Sequence, residues 1–392
     1  MPSTTSTRAP LPPSSRAWSG SRSVPAADKR STGDFSPGPE WGAERLASLF
    51  ACFLPHRAVL LAVSGGPDST ALMLLARQWL NSVAGGPALH VASVDHGLRP
   101  EAAAEAAAVG RLAACVGLPH ATLRLDTPLA GGGLQEAARA GRYTALAAHA
   151  RAIGATAIAA AHTLDDQAET VLFRLMRGSG FSGLAGMPTQ RLLDGVALLR
   201  PLLSLRKDDL IVACRRAGVD FVEDPSNRDP RFARARLRLL LPLLEKEGLG
   251  ADRLVRFATR IARADAALEA AVDEAAGRLL ETMSTAALRL SRPAFLDLPD
   301  EIGLRMLGRM VRTSGTEGLP ELGKLEALNG WIRSGGEGAR TLAGALLRVT
   351  SKAIIVTPAP ARRRANAGSD VNLHGGAKMV SVVHLGKDRG RT

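Results

Sequence analysis

An unbroken apolar run, Val59-Leu60-Leu61-Ala62-Val63, leads straight into Ser64-Gly65-Gly66-Pro67-Asp68-Ser69 and then into Thr70-Ala71-Leu72-Met73-Leu74-Leu75. That succession reads as a buried strand, a tight turn and a helix. It repeats in outline. Leu89 to Val94, Ala121 to Leu125, Ala157 to Ala161 and Val196 to Leu199 read as further strands. Ser69 to Asn81, Glu101 to Val116, Leu134 to Ile153 and Asp165 to Met176 read as the helices between them. A β-α-β-α order predicts an α/β fold: a doubly wound, mainly parallel sheet with right-handed crossovers and ligands at the carboxyl ends of its strands.

The pattern assigns residues 46–247 to this α/β domain. Before it, residues 1–45 form a basic tail rich in Ser and Pro, too poor in apolar residues to offset its ordering entropy and so expected to be disordered. After it, Leu254, Phe257, Ile261, Leu268 and Val272 mark one apolar stripe, and residues 248–336 are expected to be a helical domain. Thr341 to Val356 reads as a hairpin, giving a short β-hairpin region at 337–361, and Arg362-Arg363-Arg364 opens a basic flexible tail at 362–392.

Composition narrows the function classes. Fifty Lys plus Arg stand against 37 Asp plus Glu, and the net charge of +13 attracts polyanions such as RNA. Cys52, Cys115 and Cys214 are far apart, so they supply neither a CxxC pair nor a disulfide framework. Iron–sulfur and structural zinc sites are thereby disfavoured, and a reducing cytoplasm fits. No stretch approaches the roughly 20 apolar residues of a membrane-spanning helix, so no membrane partner is expected.

The loop has the chemistry of an anion site. Gly65 and Gly66 let backbone approach a phosphate, the Ser64 and Ser69 hydroxyls can donate to it, and Pro67 opens a helix whose first N–H groups lack intrahelical partners. No lysine follows, unlike a GxxxxGK[ST] loop; Asp68 sits inside instead. A carboxylate repels phosphate unless a cation bridges the two, which makes Asp68 a magnesium ligand candidate.

A second constellation, His162-Thr163-Leu164-Asp165-Asp166-Gln167-Ala168-Glu169, leaves one strand and enters a helix on the same sheet edge. Thr163 is placed to cap that helix, or Asp165 if the helix starts later. Asp166 and Glu169 lie three apart on one helical face, where they can hold a cationic group or a metal.

The loop resembles the SGGxDS signature of PP-loop ATP pyrophosphatases, which cleave ATP between the α- and β-phosphates to adenylate a substrate. The block Arg174-Leu175-Met176-Arg177-Gly178-Ser179-Gly180-Phe181-Ser182-Gly183-Leu184-Ala185-Gly186-Met187 narrows the likeness to the tRNA(Ile)-lysidine synthetases. So do Val94-Asp95-His96-Gly97-Leu98-Arg99, Ala138-Arg139 with Arg142-Tyr143, Arg200-Pro201-Leu202-Leu203, and Glu223-Asp224-Pro225-Ser226-Asn227 with Phe232, Arg234 and Arg236. The match spans about residues 57–240.

That resemblance implies a fold like that of the adenine nucleotide alpha hydrolases. It also implies a reaction that joins L-lysine to carbon 2 of the wobble cytidine in the CAU anticodon of tRNA(Ile), consuming ATP with Mg²⁺ and releasing AMP and pyrophosphate. ATP is expected on Ser64 to Ser69. The family's lysine site maps onto Arg142, His162, Asp166 and Glu169, Arg142 pairing the carboxylate and the acids an ammonium, with His162 the candidate base. Arg231, Arg234 and Arg238 recur at i, i+3 and i+7 as a phosphate-contacting strip and, with Arg236, are the tRNA-binding candidates. Anticodon recognition by the helical domain follows from the resemblance alone. A PP-loop tRNA thiolase and a non-catalytic RNA-binding relative are the alternatives, and the oligomeric state stays open, a homodimer included.

Overall fold

The computed structural model describes residues 38, 40–95, 97, 101–125, 134–222 and 233–360, and it divides into two compact units, Met1–Asp265 and Ala266–Thr392. Residues 1–37 and 362–392 of the two expected tails, His96, Leu98, Arg99, the block 223–227, Arg231 and Phe232 lie outside the described residues. The N-terminal tail is shorter than expected: a helix begins at Ala43, and Trp41 just before it is 1% exposed.

In chain order the first unit comprises α1 (Ala43–Phe50), β1 (Ala58–Ala62), α2 (Pro67–Asn81), β2 (Ala88–Asp95), α3 (Glu101–Cys115), β3 (His120–Arg124), α4 (Leu134–Ala152) and β4 (Ala157–Ala160). There follow α5 (Leu164–Met176), α6 (Phe181–Leu184), β5 (Gln190–Leu193), β6 (Val196–Leu199), α7 (Lys207–Arg216), α8 (Ala233–Lys246) and α9 (Ala251–Leu279), within which the division falls. The strands form one sheet in the order β3-β2-β1-β4-β6-β5. All neighbours pair in parallel except β5, which runs antiparallel to β6 at the edge.

β1 is apolar throughout because both its faces are covered. Val59, Leu61 and Val63 pack with Leu72, Leu75, Leu210 and Ala213 on one side. Ala58 and Leu60 pack with Leu146, Ala147 and Ala150 of α4 on the other. Burying each Val or Leu fully stabilises the fold by about 1.5–3 kcal/mol relative to exposure. Strand order reverses between β1 and β4, which pair with Ala62 opposite Ala160. This switch point is where open α/β sheets bind ligands, and it sets the turns after β1 and β4 side by side. A separate cluster, Ala168, Val171 and Leu172 of α5 with Leu237 of α8 and Leu254 and Ala258 of α9, seats α8 against α5.

The second unit keeps the expected helical region but departs from the expected hairpin. It contains β7 (Leu280–Ser284), β8 (Ala287–Ser291), α10 (Arg292–Leu296), α11 (Asp300–Ser314), α12 (Leu322–Arg333), β9 (Gly338–Leu342), β10 (Ala345–Val349) and β11 (Ala353–Pro358). Instead of a lone hairpin there is a five-stranded antiparallel sheet, β7-β8-β11-β10-β9, with Met306, Leu307, Met310 and Ile332 of the helices buried together with Leu290, Leu347, Ile354 and Val356 of the strands. The stripe on α9 is also not one buried face. Leu254 belongs to the first unit's core and Val272 to the second's, while Phe257 between them is 41% exposed.

Candidate active site

The turn after β1 is held by its own hydroxyls. The Ser64 N–H donates to Ser69 Oγ at 3.1 Å, Ser69 Oγ donates to the Gly66 carbonyl at 3.1 Å, and the two serine oxygens are 3.3 Å apart. Ser69, expected to donate to phosphate, therefore shapes the loop. Gly65 adopts φ +88°, the left-handed region that glycine reaches without strain, and its carbonyl accepts the Val222 N–H at 2.9 Å. Gly66 is the N-cap of α2 and makes no side-chain cap, and Pro67 occupies the first turn. The start of α2 thus presents its N–H groups and the positive end of its dipole at the switch point.

Asp68 stands in that first turn. Its Oδ2 lies 3.0 Å from Lys207 Nζ, while its Oδ1 is buried without a hydrogen-bond partner. Burial raises the carboxyl above its ordinary range, Lys207 pulls it back down, and the charges of Asp166 and Asp165 push it up again. A buried, orphaned carboxylate oxygen fits a divalent cation shared with phosphate oxygens. Among the described residues no cluster of three or more His, Cys, Asp or Glu forms a metal site.

The turn after β4 carries the second group. Thr163 is the N-cap of α5, and a capping box forms: Asp166 N–H donates to Thr163 Oγ1 at 3.3 Å, and Asp166 Oδ2 accepts the Thr163 N–H at 2.9 Å and its hydroxyl at 3.1 Å. Asp165 Oδ2 accepts the Lys207 N–H at 2.7 Å, which ties the start of α7 to the start of α5. Glu169 is 4% exposed and accepts from two of the Arg238 nitrogens, Nε at 2.5 Å and Nη2 at 3.2 Å. Its carboxyl is raised by burial, with Arg238 opposing. Asp166 and Glu169 share one helical face as the spacing requires, but the cation on Glu169 is the chain's own.

Arginines crowd the other side. His162 is pushed down to about 4 by burial, opposed by Asp166 and reinforced by Arg200, Arg139 and Arg234, so its imidazole is neutral at pH 7. Its Nε2 lies 3.5 Å from Arg139, and its buried Nδ1 has no partner. Arg142, one turn along α4 from Arg139, keeps a buried Nε without a partner, and burial lowers its pKa with Arg139 adding to the fall. Arg139 is thus the arginine that reaches the His162 ring nitrogen. The Tyr143 ring lies 5.4 Å from Arg139 and 5.8 Å from Arg191. On α8, Arg234 and Arg236 are exposed, whereas Arg238 is committed to Glu169 and does not join them as a surface strip.

Much of the block 174–187 is scaffold. Arg174 Nη1 donates to the Gly183 and Gly186 carbonyls at 2.8 Å each, and Gln167 exchanges two hydrogen bonds with the Met187 backbone, at 2.7 and 2.9 Å. Gly186 has φ +76°, and a Cβ there would fall 2.8 Å from the Gln167 amide. Lys207 and Arg139 escaped the sequence reading as site residues. Arg139 carried a signal, its i, i+3 spacing to Arg142; Lys207 carried none, because only the packing of α7 brings it to the loop.

The PP-loop domain family matches residues 42–244. The chain is 49% identical over 327 residues to the tRNA(Ile)-lysidine synthase of Rhodopseudomonas palustris, covering 80% of this chain and 94% of that one. It is 47% identical over 342 residues to that of Bradyrhizobium sp., covering 82% and 95%, and 48% identical over 313 residues to that of Methylobacterium nodulans, covering 78% and 91%.

Proposed function

Because this chain belongs to the tRNA(Ile)-lysidine synthase family, and carries a PP-loop domain at residues 42–244, we propose that it joins L-lysine to carbon 2 of the wobble cytidine in the CAU anticodon of tRNA(Ile). ATP drives the ligation, AMP and pyrophosphate leave, and the lysidine formed changes the codon and amino-acid specificity of the tRNA. The reaction is read as cytoplasmic. Among the described residues no helix is long and apolar enough to cross a membrane.

The observation that carries the reading is the meeting of two turns at the switch point, with Asp68 on one and Asp165 and Asp166 on the other inside a single electrostatic environment. The carbonyl oxygen at carbon 2 is a poor leaving group. Its attack on the α-phosphorus, with the bond to pyrophosphate breaking, makes it part of an AMP leaving group; a neutral amine then displaces AMP and gives up a proton. In our reading the loop Ser64 to Ser69 and the start of α2 bind the phosphates. Magnesium held by Asp68 would neutralise phosphate charge and polarise the α-phosphorus.

Lysine is placed on the other turn. Arg142, its Nε buried and unpartnered, is suited to the amino-acid carboxylate, and Asp166 to an ammonium. Glu169 reaches that ammonium only by sharing or releasing Arg238. The attacking ε-amine must be uncharged, and the burial that keeps His162 neutral, reinforced by the charges of Arg200, Arg139 and Arg234, also disfavours a protonated amine beside it. His162 Nδ1 is then the acceptor for the amine proton. The exposed Arg234 and Arg236 would take tRNA phosphates, and the second unit is read as tRNA-binding.

The reading is tested without lysine. Incubated with unmodified tRNA(Ile) and ATP labelled at the α-phosphate, the protein should transfer label to the tRNA, and adding lysine should release it as AMP. No label on the tRNA would overturn the adenylation step.

A further inference from the structure

The loop has no lysine of its own, yet an ammonium reaches it. Lys207, the first residue of α7, puts Nζ 3.0 Å from Asp68 Oδ2, although 139 residues separate them in sequence. Two constraints hold its backbone there. The Lys207 N–H donates to Asp165 Oδ2 at 2.7 Å, and α7 is packed on α2 through buried Leu210, Ala213 and Cys214, whose Sγ lies 3.4 Å from the Pro67 carbonyl. The side chain itself is 43% exposed on a flexible four-carbon stem, so the ammonium can change partners without moving the helix.

We propose that Lys207 is the phosphate-binding lysine of this site, taking the β- and γ-phosphate oxygens of ATP and stabilising pyrophosphate as it leaves; the inference rests on reading the Ser64 to Ser69 loop as the ATP site. A divalent cation held by Asp68 would compete with the ammonium for that carboxylate and would leave Lys207 free to meet the phosphates. In adenylation the cytidine oxygen forms the new bond to the α-phosphorus while the bond to the β-phosphate bridge breaks. The electron pair departs on pyrophosphate, and Lys207 is a positive charge set where that negative charge grows. AMP carries no such group, so Lys207 discriminates between the two products.

Calorimetric binding of magnesium pyrophosphate, magnesium ATP and AMP to the full chain tests this in wild type, Lys207→Met and Lys207→Arg. Lys207→Met should weaken pyrophosphate and ATP by about tenfold or more while leaving AMP unchanged, the loss expected for one charged hydrogen bond, and Lys207→Arg should retain most of the affinity. Unchanged AMP binding also reports an intact fold. A purely structural partner of Asp68 would be silent once Asp68 is neutral. In an Asp68→Asn background, Lys207→Met should still weaken pyrophosphate. Equal loss for all three ligands, loss for none, or silence in that background would overturn the proposal. If wild type binds AMP but neither pyrophosphate nor ATP, the ATP-site reading itself fails.

Discussion

Arg238 of α8 clasps both carboxylate oxygens of Glu169 on α5, from Nε at 2.5 Å and Nη2 at 3.2 Å. Leu237 next to it is buried against Ala168, Val171 and Leu172, so the ion pair and an apolar contact fasten the same two helices. A bidentate pair of this kind is specific to arginine. Glu169 is thereby both a member of the acid cluster and the anchor of the helix that presents Arg234.

Arg238→Met should lower stability by about 2–3 kcal/mol, less than the cost of breaking a fully buried pair, because the Arg238 side chain is 35% exposed. Its sign with pH is fixed. With the opposing arginine gone, burial holds the Glu169 pKa further above its unfolded value, so the variant is least impaired below the unfolded pKa and loses stability as pH rises through the folded one. Thermal unfolding across pH checks this; a variant as stable as wild type at pH 8 would show the pair to be incidental.

Asp166 has two roles that substitution can separate. Asp166→Asn should impair lysine use more than adenylation, and it also weakens the capping box. Thr163→Ala removes the cap and keeps the carboxylate, costing about 1 kcal/mol with lysine use preserved. Half-reaction kinetics decide. Equal loss of both half-reactions in Asp166→Asn, or loss of lysine use in Thr163→Ala, would contradict the subsite division.

The parallel sheet was readable because strands buried on both faces are continuous apolar runs, whereas the switch point between β1 and β4 depends on the spatial order of the strands. β5 was not, since Gln190–Leu193 is a mostly exposed antiparallel edge strand with no alternation to detect. Nor were β7 and β8. The helical periodicity of α9 runs straight into Leu280, and Glu281 to Ser284 are exposed. In the site, Asp68, His162 and Asp166 were legible from strand-turn-helix context. The ownership of Glu169 by Arg238 and of Asp68 by Lys207 was not, because both depend on how α8 and α7 dock.

His162 should make acid stability depend on its own titration. Its folded pKa, lowered from 6.5 to about 4, means the unfolded chain binds the extra proton between those values. Stability is therefore full above about 6.5 and falls as pH drops toward about 4. His162→Gln should flatten the profile in that window. An unchanged slope would show that another group sets it.

Gly186→Ala should destabilise the first unit by about 1–3 kcal/mol, from left-handed backbone strain and from the Cβ pressing on Gln167 at 2.8 Å. In a Gln167→Ala background, which has already lost the two hydrogen bonds to Met187, Gly186→Ala should carry the strain cost without the crowding. Chemical denaturation of the two single variants and the double variant measures the difference, and no further loss on adding Gly186→Ala to Gln167→Ala would assign the whole cost to crowding.

Asp68→Asn should abolish transfer of AMP to the tRNA while the fold persists, since the amide keeps the size of the carboxylate in the first turn of α2. Residual adenylation at the wild-type rate would remove Asp68 from the chemistry.

The central claim is tested most directly by incubating the protein with labelled lysine, ATP and tRNA(Ile) bearing CAU, beside the methionine tRNA that shares this anticodon. The account predicts ATP-dependent label in the isoleucine tRNA and little in the methionine tRNA. No label in the isoleucine tRNA would contradict it.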